Sequence, residues 1–348
     1  MCAKKSLAVK VKKKHGEQVR LLLLKKDLLR SDLKIKRNKD YLFIPVKDTT
    51  ETINDFTLVT TVFQKTKQKT TQYQELLDLP KELQALLPTS FDVIGDILLI
   101  KLPEELTPFS NKIGTALLKT HSHVNTVCQM NPVTGELRKR SIKVIAGKQK
   151  TETVHKEYGL YYNVDVEKTY FSPRLATERK RVCKLIQPKS TVFDMFCGVA
   201  PFSIMIAKYA KPDHILCIDK NPEAIQFAKQ NISKNKVKEK ITVLHDDAKN
   251  TKKILEKHHM IPDHVIMNLP FSAFEFFPTA IQCIADQGLI HYYDILEESF
   301  IHTRIDQLQQ TAQQYNTQLS IDEDNVHKIK TYAPHEFYIG IDITVSKK

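Results

Sequence analysis

The stretch VFDMFCGVAPF at residues 192–202 decides the fold, because an apolar run typical of a buried strand ends in Asp194. A loop with a single glycine, Gly198, follows, and Pro201 then opens a helical pattern. The segments HILCIDKNP (214–222) and DHVIMNLPF (263–271) show the same pattern, because each is an apolar run that ends in a polar residue. In open α/β sheets ligands bind at the carboxyl edge of the strands, so the three segments predict one ligand site.

The length and the cysteines limit the class of protein. A chain of 348 residues has room for two or three domains. Its six cysteines are scattered without a CxxC pair, which argues against a structural zinc site or a disulfide framework and for a reducing cytosol. The lysine-rich start has no apolar run longer than the four leucines 21–24, so we expect a cytoplasmic protein without a signal peptide or membrane span.

The positive charge is concentrated at the amino end. Residues 1–47 hold 15 lysines and arginines against four acids, which accounts for eleven of the 13 net positive charges. Strand patterns at 7–13, 41–46 and 56–63 and a helical pattern at 16–30, with Val19, Leu22, Leu23 and Leu29 as its inward positions, predict a folded unit. A basic folded unit favours RNA binding; a solubilising surface is the alternative.

The remaining patterns predict three domains. We expect a basic α+β domain at 1–66, a polar linker at 67–75 and a second α+β domain at 76–165 that contributes to the target-base site. From 166 to 348 strands and helices alternate, which predicts a parallel sheet with right-handed crossovers. The fold class is therefore α/β, a Rossmann-like domain preceded by two smaller α+β domains.

The loop at Gly198 favours S-adenosylmethionine (AdoMet) over a dinucleotide, because no GxGxxG is present to cradle a pyrophosphate. Asp219 lies 21 residues later, where a carboxylate accepts ribose hydroxyls, and Asp246 or Asp247 ends the third strand near the adenine. The alternatives are an ordinary tight turn at Gly198 and a helix-start charge at Asp219. The expected cofactor contacts are Asp194, Phe196, Cys197, Gly198, Val199, Asp219, Lys220, Asp246, Asp247 and Asn268.

Four strings carry a resemblance to a known family: GELRKR (135–140), YFSPRLATER (170–179), DMFCGVAPFSI (194–204) and NLPFSAFEF (268–276). Together they resemble the archaeal and eukaryotic tRNA (guanine-37, nitrogen-1) methyltransferases, over nearly the whole chain. The family often shows FAGVGPF in the loop, where this chain has the small residues Cys197 and Ala200 in place of alanine and glycine.

The resemblance implies methyl transfer from AdoMet to nitrogen-1 of guanosine 37 in tRNA by a class I AdoMet methyltransferase domain. Glu178 would be the general base, Arg138 would contact the guanine, and Asn268 would hydrogen-bond near it. Tyr170 and Pro270 would line the base pocket. Arg140 shares the face of Arg138 on a possible strand and stays an alternative to it. We expect no metal, no stable protein partner and a monomer.

Three other functions remain possible from the sequence. A wybutosine-pathway AdoMet enzyme would methylate a modified base or transfer an aminocarboxypropyl group. A non-catalytic RNA-binding protein would keep the fold, and Glu178 would then only begin a helix and pair with Arg181 or Lys180. An amino-group methyltransferase of DNA or protein more naturally carries an NPPY-like tetrapeptide, whereas this chain has NLPF.

Overall fold

A computed structural model of the chain describes residues 3–47, 56–64, 72–134 and 139–347. The chain divides into two compact units, residues 1–72 and residues 73–348. The three-domain division drawn from the sequence stays a prediction. Tyr73, inside the predicted linker, is buried and begins a short 3₁₀ helix.

The first unit is a four-stranded antiparallel sheet packed on one helix. Strands β1 (Ala3–Lys12), β2 (Lys36–Arg37), β3 (Tyr41–Pro45) and β4 (Thr57–Gln64) lie in the order β2-β3-β1-β4, and helix α1 is Gly16–Lys25. The helix buries Val19 and Leu23 against the sheet. These residues are four apart and therefore share one face.

Three details of the predicted first helix were wrong. Helix α1 ends at Lys25 rather than near Arg30, and Asp27 follows with a φ of +54° that no helix contains. Leu22 is 39% exposed, because it lies about 100° around the helix from Leu23 and misses the sheet. Leu29 lies beyond the helix in a bridge to Val46 and is only partly buried.

The second unit begins with a small mixed sheet. Strands β5 (Asp92–Ile94), β6 (Ile97–Ile100), β7 (Thr126–Thr134) and β8 (Lys139–Gly147) lie in that order, and β9 (Glu152–Glu157) and β10 (Leu160–Asp165) form a separate hairpin. Helix α2 is Lys81–Gln84, and helix α3 (Ser110–Thr120) covers the mixed sheet with Ile113 and Leu117. Glu104–Phe109, directly before α3, is a 3₁₀ helix and contains Pro108, which has no N–H to donate.

The Rossmann-like domain predicted from the strand and helix alternation is confirmed. Its strands are β11 (Thr191–Asp194), β12 (His214–Asp219), β13 (Ile241–His245), β14 (His264–Met267), β15 (Gly288–Glu297), β16 (Thr317–Ser320), β17 (Val326–Ala333) and β18 (Glu336–Lys347). They follow the order β13-β12-β11-β14-β15-β18-β16, with β17 also paired to β18. Strands β11 to β15 are parallel, and β18 runs antiparallel to β15.

Helices cover both faces of this sheet. They are α4 (Ala176–Leu185), α5 (Pro201–Tyr209), α6 (Pro222–Lys234), α7 (Thr251–Lys257), α8 (Ala273–Cys283) and α9 (Ile301–Gln313). Val192 packs with α4, α5 and α6 on one face, and its neighbour Phe193 packs with α7, α8 and α9 on the other. This alternation explains why the strands read as continuous apolar runs. Within the described ranges no helix combines the length and apolar composition that a membrane crossing needs.

A buried ion pair fastens the β9–β10 hairpin to helix α4. Arg179 is 1% exposed, and its Nε donates to Glu157 Oε1 over 2.8 Å while its Nη2 donates to Glu157 Oε2. The same Nη2 donates to the carbonyl oxygen of Ser172 at 3.2 Å. The guanidinium also lies over the Phe171 ring, 5.1 Å from its centre. Arg179 therefore fixes the segment that precedes α4.

We predict that Glu157→Gln destabilises the second unit by about 3–5 kcal/mol, because it leaves the Arg179 charge buried without its counterion. The measurement is the shift of the urea unfolding transition at neutral pH. Glu152→Gln makes the same change at an exposed position of the same strand and should stay within about 0.5 kcal/mol. Equal stabilities of the two variants would contradict the assignment.

Candidate active site at the carboxyl edge of the sheet

The loop after β11 crosses to the end of β12. The Gly198 N–H donates to Asp219 Oδ2 over 2.7 Å, and the Cys197 N–H donates to the Ile218 carbonyl over 2.9 Å. Gly198 has a φ of +54°, which favours glycine. A Cβ added there would meet only the Tyr170 carbonyl oxygen, at 3.7 Å, so its outer side is open.

The loop residues predicted to bind the cofactor differ in exposure. Phe196 and Gly198 are half-buried, whereas Asp194, Cys197 and Val199 are at most 3% exposed. The Phe196 ring packs edge-on against Phe276 with centroids 5.2 Å apart. Phe196 and Gly198 thus present the accessible surface of the loop, and the other three lie beneath it.

Asp219 holds the first two strand ends together. Besides the Gly198 N–H, it accepts the Asn221 N–H on Oδ1 at 2.8 Å. The side chain of Asn221 caps helix α6 and donates to the Lys168 carbonyl at 2.9 Å. The segment containing Lys168 and Tyr170 is thereby tied to the end of β12, beside Gly198.

The two aspartates after β13 have different partners. Asp247 accepts the Lys249 N–H on Oδ1 at 3.0 Å and pairs with Lys220 Nζ through Oδ2 at 3.2 Å. Asp246 Oδ1 accepts from the Asp247 N–H and from Asn250 Nδ2, both at 2.8 Å. Both carboxylate oxygens of Asp247 thus have a partner close by in the chain. The two bonds that Asp246 accepts both go to its Oδ1.

The turn after β14 carries Asn268 and Pro270. Asn268 is half-buried, and its Oδ1 accepts a short hydrogen bond from Tyr338 Oη. The Leu269 N–H donates to the Met267 carbonyl at 3.0 Å, and this hydrogen bond closes the turn. Pro270 is buried within it.

Glu178 is a buried carboxylate in the first turn of α4, 5% exposed. Arg181 donates to it twice, from Nε to Oε2 and from Nη2 to Oε1, each over 2.8 Å. Tyr293 Oη also donates to Oε1 at 2.8 Å. The pairing with Arg181 that the sequence left open is therefore present.

Two tyrosines that the sequence analysis missed connect Glu178 with Asn268. The rings of Tyr293 and Tyr338 lie 6.0 Å apart, and their hydroxyls bond Glu178 and Asn268 respectively. Gly340 lies beside them: a Cβ there would stand 3.1 Å from the Tyr293 ring and 3.4 Å from Glu178 Oε1. Both tyrosines sit in apolar strands, which read as ordinary core in the sequence.

Not every predicted residue can be placed. Tyr170 is half-buried, with its carbonyl next to Gly198. Arg138 lies outside the described residues. The backbone of Arg140 pairs with Val133 in the β7–β8 ladder, and its side chain is not among those described.

Asp194 is the most strongly perturbed carboxyl beneath the loop. Burial raises its pKa to about 7, although a 2.7 Å hydrogen bond from Ser203 Oγ opposes the shift. Its Oδ1 is buried without a hydrogen-bond partner among the described residues. Nearby Asp219 adds to the shift by charge repulsion. A carboxyl of this kind is costly when ionised.

Three family models match most of the chain. Residues 153–320 match the TRM5/TYW2 methyltransferase domain, residues 73–151 the TYW2 N-terminal domain, and residues 8–54 the tRNA methyltransferase 5 N-terminal domain. The "tRNA (guanine(37)-N(1))-methyltransferase Trm5b" of Pyrococcus abyssi is 40% identical over 98% of this chain and 99% of its own length.

The chain belongs to the TRM5/TYW2 methyltransferase family.

Other members of the TRM5/TYW2 family differ in how much of the chain they match. The Trm5b of Methanocaldococcus jannaschii is 33% identical over 98% of this chain and 99% of its own length. A "tRNA(Phe) (4-demethylwyosine(37)-C(7)) aminocarboxypropyltransferase" of Pyrococcus horikoshii is 32% identical over 78% of this chain and 94% of its own length. The second relative thus leaves about a fifth of the chain unmatched.

Solved structures of family members agree with the fold. Trm5b from Pyrococcus abyssi superposes with a TM-score of 0.75 at 38% identity, covering 98% of this chain and 99% of that one. A complex of aTrm5 and tRNALeu gives 0.73 at 32% identity, covering 97% and 99%. Methanocaldococcus jannaschii Trm5 in complex with adenosine gives 0.66 at 32% identity, covering 98% and 100%.

We predict that Asp194→Asn becomes progressively more stable than the wild type as the pH rises from about 4 to about 7. Below pH 4 the carboxyl is protonated in both the folded and the unfolded state. Between the two pKa values the unfolded state loses its proton first, so wild-type stability falls as the pH rises. A pKa shift of this size changes the difference in unfolding free energy between the two proteins by about 4 kcal/mol at most.

Urea unfolding of both proteins at pH 5, 6, 7 and 8 measures this divergence. Asp306→Asn, at an exposed position of α9, controls for the loss of one charge. A constant difference between wild type and Asp194→Asn over this range would contradict the raised pKa.

Proposed function

We propose that this protein transfers the methyl group of AdoMet to nitrogen-1 of guanosine 37 in tRNA. The observation that carries the proposal is the buried Glu178 carboxylate, linked through Tyr293 and Tyr338 to the Asn268 turn at the ligand-binding edge of the sheet. Full-length relatives named for this reaction support it. The match of residues 8–54 to the tRNA methyltransferase 5 N-terminal domain favours it over aminocarboxypropyl transfer, whose named relative matches less of the chain.

The strand-end residues fit AdoMet. The open side of Gly198 allows close approach of a ligand to the backbone, and Phe196 offers an apolar surface beside it. Asp219 would accept the ribose hydroxyls, since a carboxylate has about four acceptor sites. Asp246 would accept from the adenine, because its two bonds within the turn both fall on Oδ1, whereas Asp247 is held in an ion pair with Lys220. When bound, AdoMet supplies an electrophilic methyl group.

Four of the residues predicted to contact the cofactor would instead support the residues that touch it: Asp194, Cys197, Val199 and Lys220. The first three are buried beneath the loop and would fix its shape. Lys220 would fix the turn after β13 through its ion pair with Asp247. A site that is already fixed before the ligand arrives loses little side-chain and loop entropy on binding.

Glu178 would act as the general base. Nitrogen-1 of guanine carries a proton at neutral pH, so this proton must leave as the new bond forms. The N1–H bond breaks toward a Glu178 oxygen, and the electron pair of nitrogen-1 forms the bond to the methyl carbon, whose former bonding pair stays on sulfur. Arg138, or Arg140 beside it, would stabilise negative charge on the 6-oxo group.

The target base would enter a pocket between Tyr170 and the Asn268–Pro270 turn. Tyr170 lies beside Gly198, so a base stacked there would have the methyl donor close to it. The Asn268 side chain has its Oδ1 engaged by Tyr338, which turns its amide nitrogen to serve as the donor toward a base. A base can reach such a pocket only after leaving its stack.

The basic first unit would hold the tRNA outside the reaction site. It carries eleven of the chain's 13 net positive charges, and phosphate neutralisation would supply affinity more than chemistry. We expect a monomer that works in the cytosol, where its scattered cysteines stay reduced.

We predict that the purified protein methylates a tRNA transcript with guanosine at position 37, at nitrogen-1, and leaves the adenosine-37 transcript unmodified. Labelled AdoMet and mass-spectrometric mapping measure this. Glu178→Gln should lower the single-turnover rate about 10²–10⁴-fold, since the proton acceptor is lost. Glu239→Gln, an exposed control, should match wild type. Transfer to both transcripts or to neither would refute the proposal.

We predict that Gly198→Ala weakens AdoMet binding about tenfold or more, because the new methyl group occupies the open side of the loop. Gly159→Ala is the matched control: its φ is +79°, and its nearest neighbour to an added Cβ is Tyr209 Oη at 3.5 Å. Both variants bear similar backbone strain, but Gly159 lies in the β9–β10 turn. Calorimetric titration with equal affinities for the two variants would argue against this site.

A further inference from the structure

Arg181 is shared between two buried carboxylates from distant parts of the chain. It donates twice to Glu178 within helix α4 and reaches Asp342 on β18, 161 residues away, with Nη1 and with Nη2, the latter at 3.3 Å. Glu178 and Asp342 are each 5% exposed. One guanidinium therefore serves two acids.

Two histidines complete the surroundings of Asp342. His291 Nδ1 donates to Asp342 Oδ1 at 2.7 Å, and His327 Nε2 lies 3.4 Å from Oδ2. Burial opposes the charge of Asp342, but the bonds from His291 and Arg181 hold its pKa well below the usual value. Asp342 is therefore an ionised carboxylate at neutral pH.

A third histidine, His264, lies on the far side of His291 from Asp342. The ring of His264 stacks on His291 with centroids 5.5 Å apart, and its Nδ1 lies 3.3 Å from His291 Nε2. Burial and the neighbouring His291 lower the pKa of His264 to about 4, so it is uncharged at neutral pH. Among the described residues, the titratable side chains that hydrogen-bond Glu178 are Arg181 and Tyr293, and Asp342 with its histidines lies behind the guanidinium.

The charge balance of this cluster suits a group that takes up a proton. Two carboxylates and one guanidinium sum to one negative charge. When Glu178 accepts a proton, the sum becomes zero, and Arg181 keeps Asp342 as its counterion. Without Asp342, the same step would leave a partly buried guanidinium unpaired, which is costly.

We propose that Arg181 and Asp342 are positioning residues for Glu178. The two parallel N–H bonds of Arg181 fix the plane of the Glu178 carboxylate, and Asp342 holds Arg181 in place through the proton transfer. This inference rests on the proposed function, in which Glu178 removes the nitrogen-1 proton.

The test is the pH dependence of the single-turnover methylation rate with the guanosine-37 transcript. Arg181→Gln should move the acidic limb of the profile to higher pH by about one unit or more, because the carboxylate has lost a stabilising cation. Asp342→Asn should move it to lower pH and reduce the plateau about tenfold, because Arg181 then pairs with Glu178 alone. Opposite displacements distinguish electrostatic positioning from a general loss of structure.

Two further variants keep the test decisive if either substitution prevents folding. Arg181→Lys keeps the charge but not the bidentate geometry. The acidic limb of its pH–rate profile should therefore stay near that of wild type, while the plateau rate falls. Tyr293→Phe removes one donor to Glu178 with little change of shape and should move the limb upward. Arg304→Gln on helix α9 breaks the 3.3 Å pair with Asp294 on β15; it is the control and should keep the wild-type limb.

The outcomes separate the two proposals. A wild-type protein that does not methylate nitrogen-1 of guanosine 37 refutes the proposed function, and this inference with it. If the wild type is active, an unchanged acidic limb in the folded Arg181→Gln variant, or an unchanged plateau in Arg181→Lys, refutes the positioning role alone. Opposite limb shifts in Arg181→Gln and Asp342→Asn, or a lowered plateau with an unshifted limb in Arg181→Lys, support it.

Discussion

The structure depends on two arginine pairs that hold helix α4 from opposite sides. Arg179 and Arg181 are two residues apart and so point about 200° apart around the helix. Arg179 reaches Glu157 in the β9–β10 hairpin, and Arg181 reaches Asp342 on β18. Around the helix, Glu178 projects from the arc between these two arginines. Its position therefore depends on two distant parts of the chain as well as on its own helix.

The strand ends of the site could be predicted from the sequence, but the tyrosines could not. Asp219 and Asn268 each follow a short apolar run, and parallel strands must bring their carboxyl ends to one edge. Tyr293 and Tyr338 also lie in apolar runs, and their hydroxyls find partners 115 and 70 residues away. The residues next to each tyrosine in the sequence do not indicate partners this far away. The exposure of Leu22 was missed for a similar reason, since it depends on the angle at which α1 meets its sheet.

The buried polar groups near Glu178 do more for geometry than for stability. Burying an ion pair costs about as much free energy as the pair returns, so a fully apolar core would be at least as stable. What the bonds from Arg181 and Tyr293 provide is a single orientation of one carboxylate. Because every partner is itself packed in a strand or helix, the group is rigid before any ligand arrives. Asp194 beneath the neighbouring loop shows the opposite case, with one oxygen left unsatisfied.

Gly340 has a consequence for how this protein can be altered. Its backbone does not have a positive φ, so the restriction there is one of space: a Cβ would stand 3.1 Å from the Tyr293 ring and 3.4 Å from Glu178 Oε1. Even the smallest side chain at a position 162 residues from Glu178 therefore presses on the Tyr293 ring, whose hydroxyl bonds the carboxylate. Mutational libraries restricted to the sequence neighbourhood of Glu178 would overlook this position, and engineering of the carboxyl-terminal strand would disturb the site without touching a reacting group.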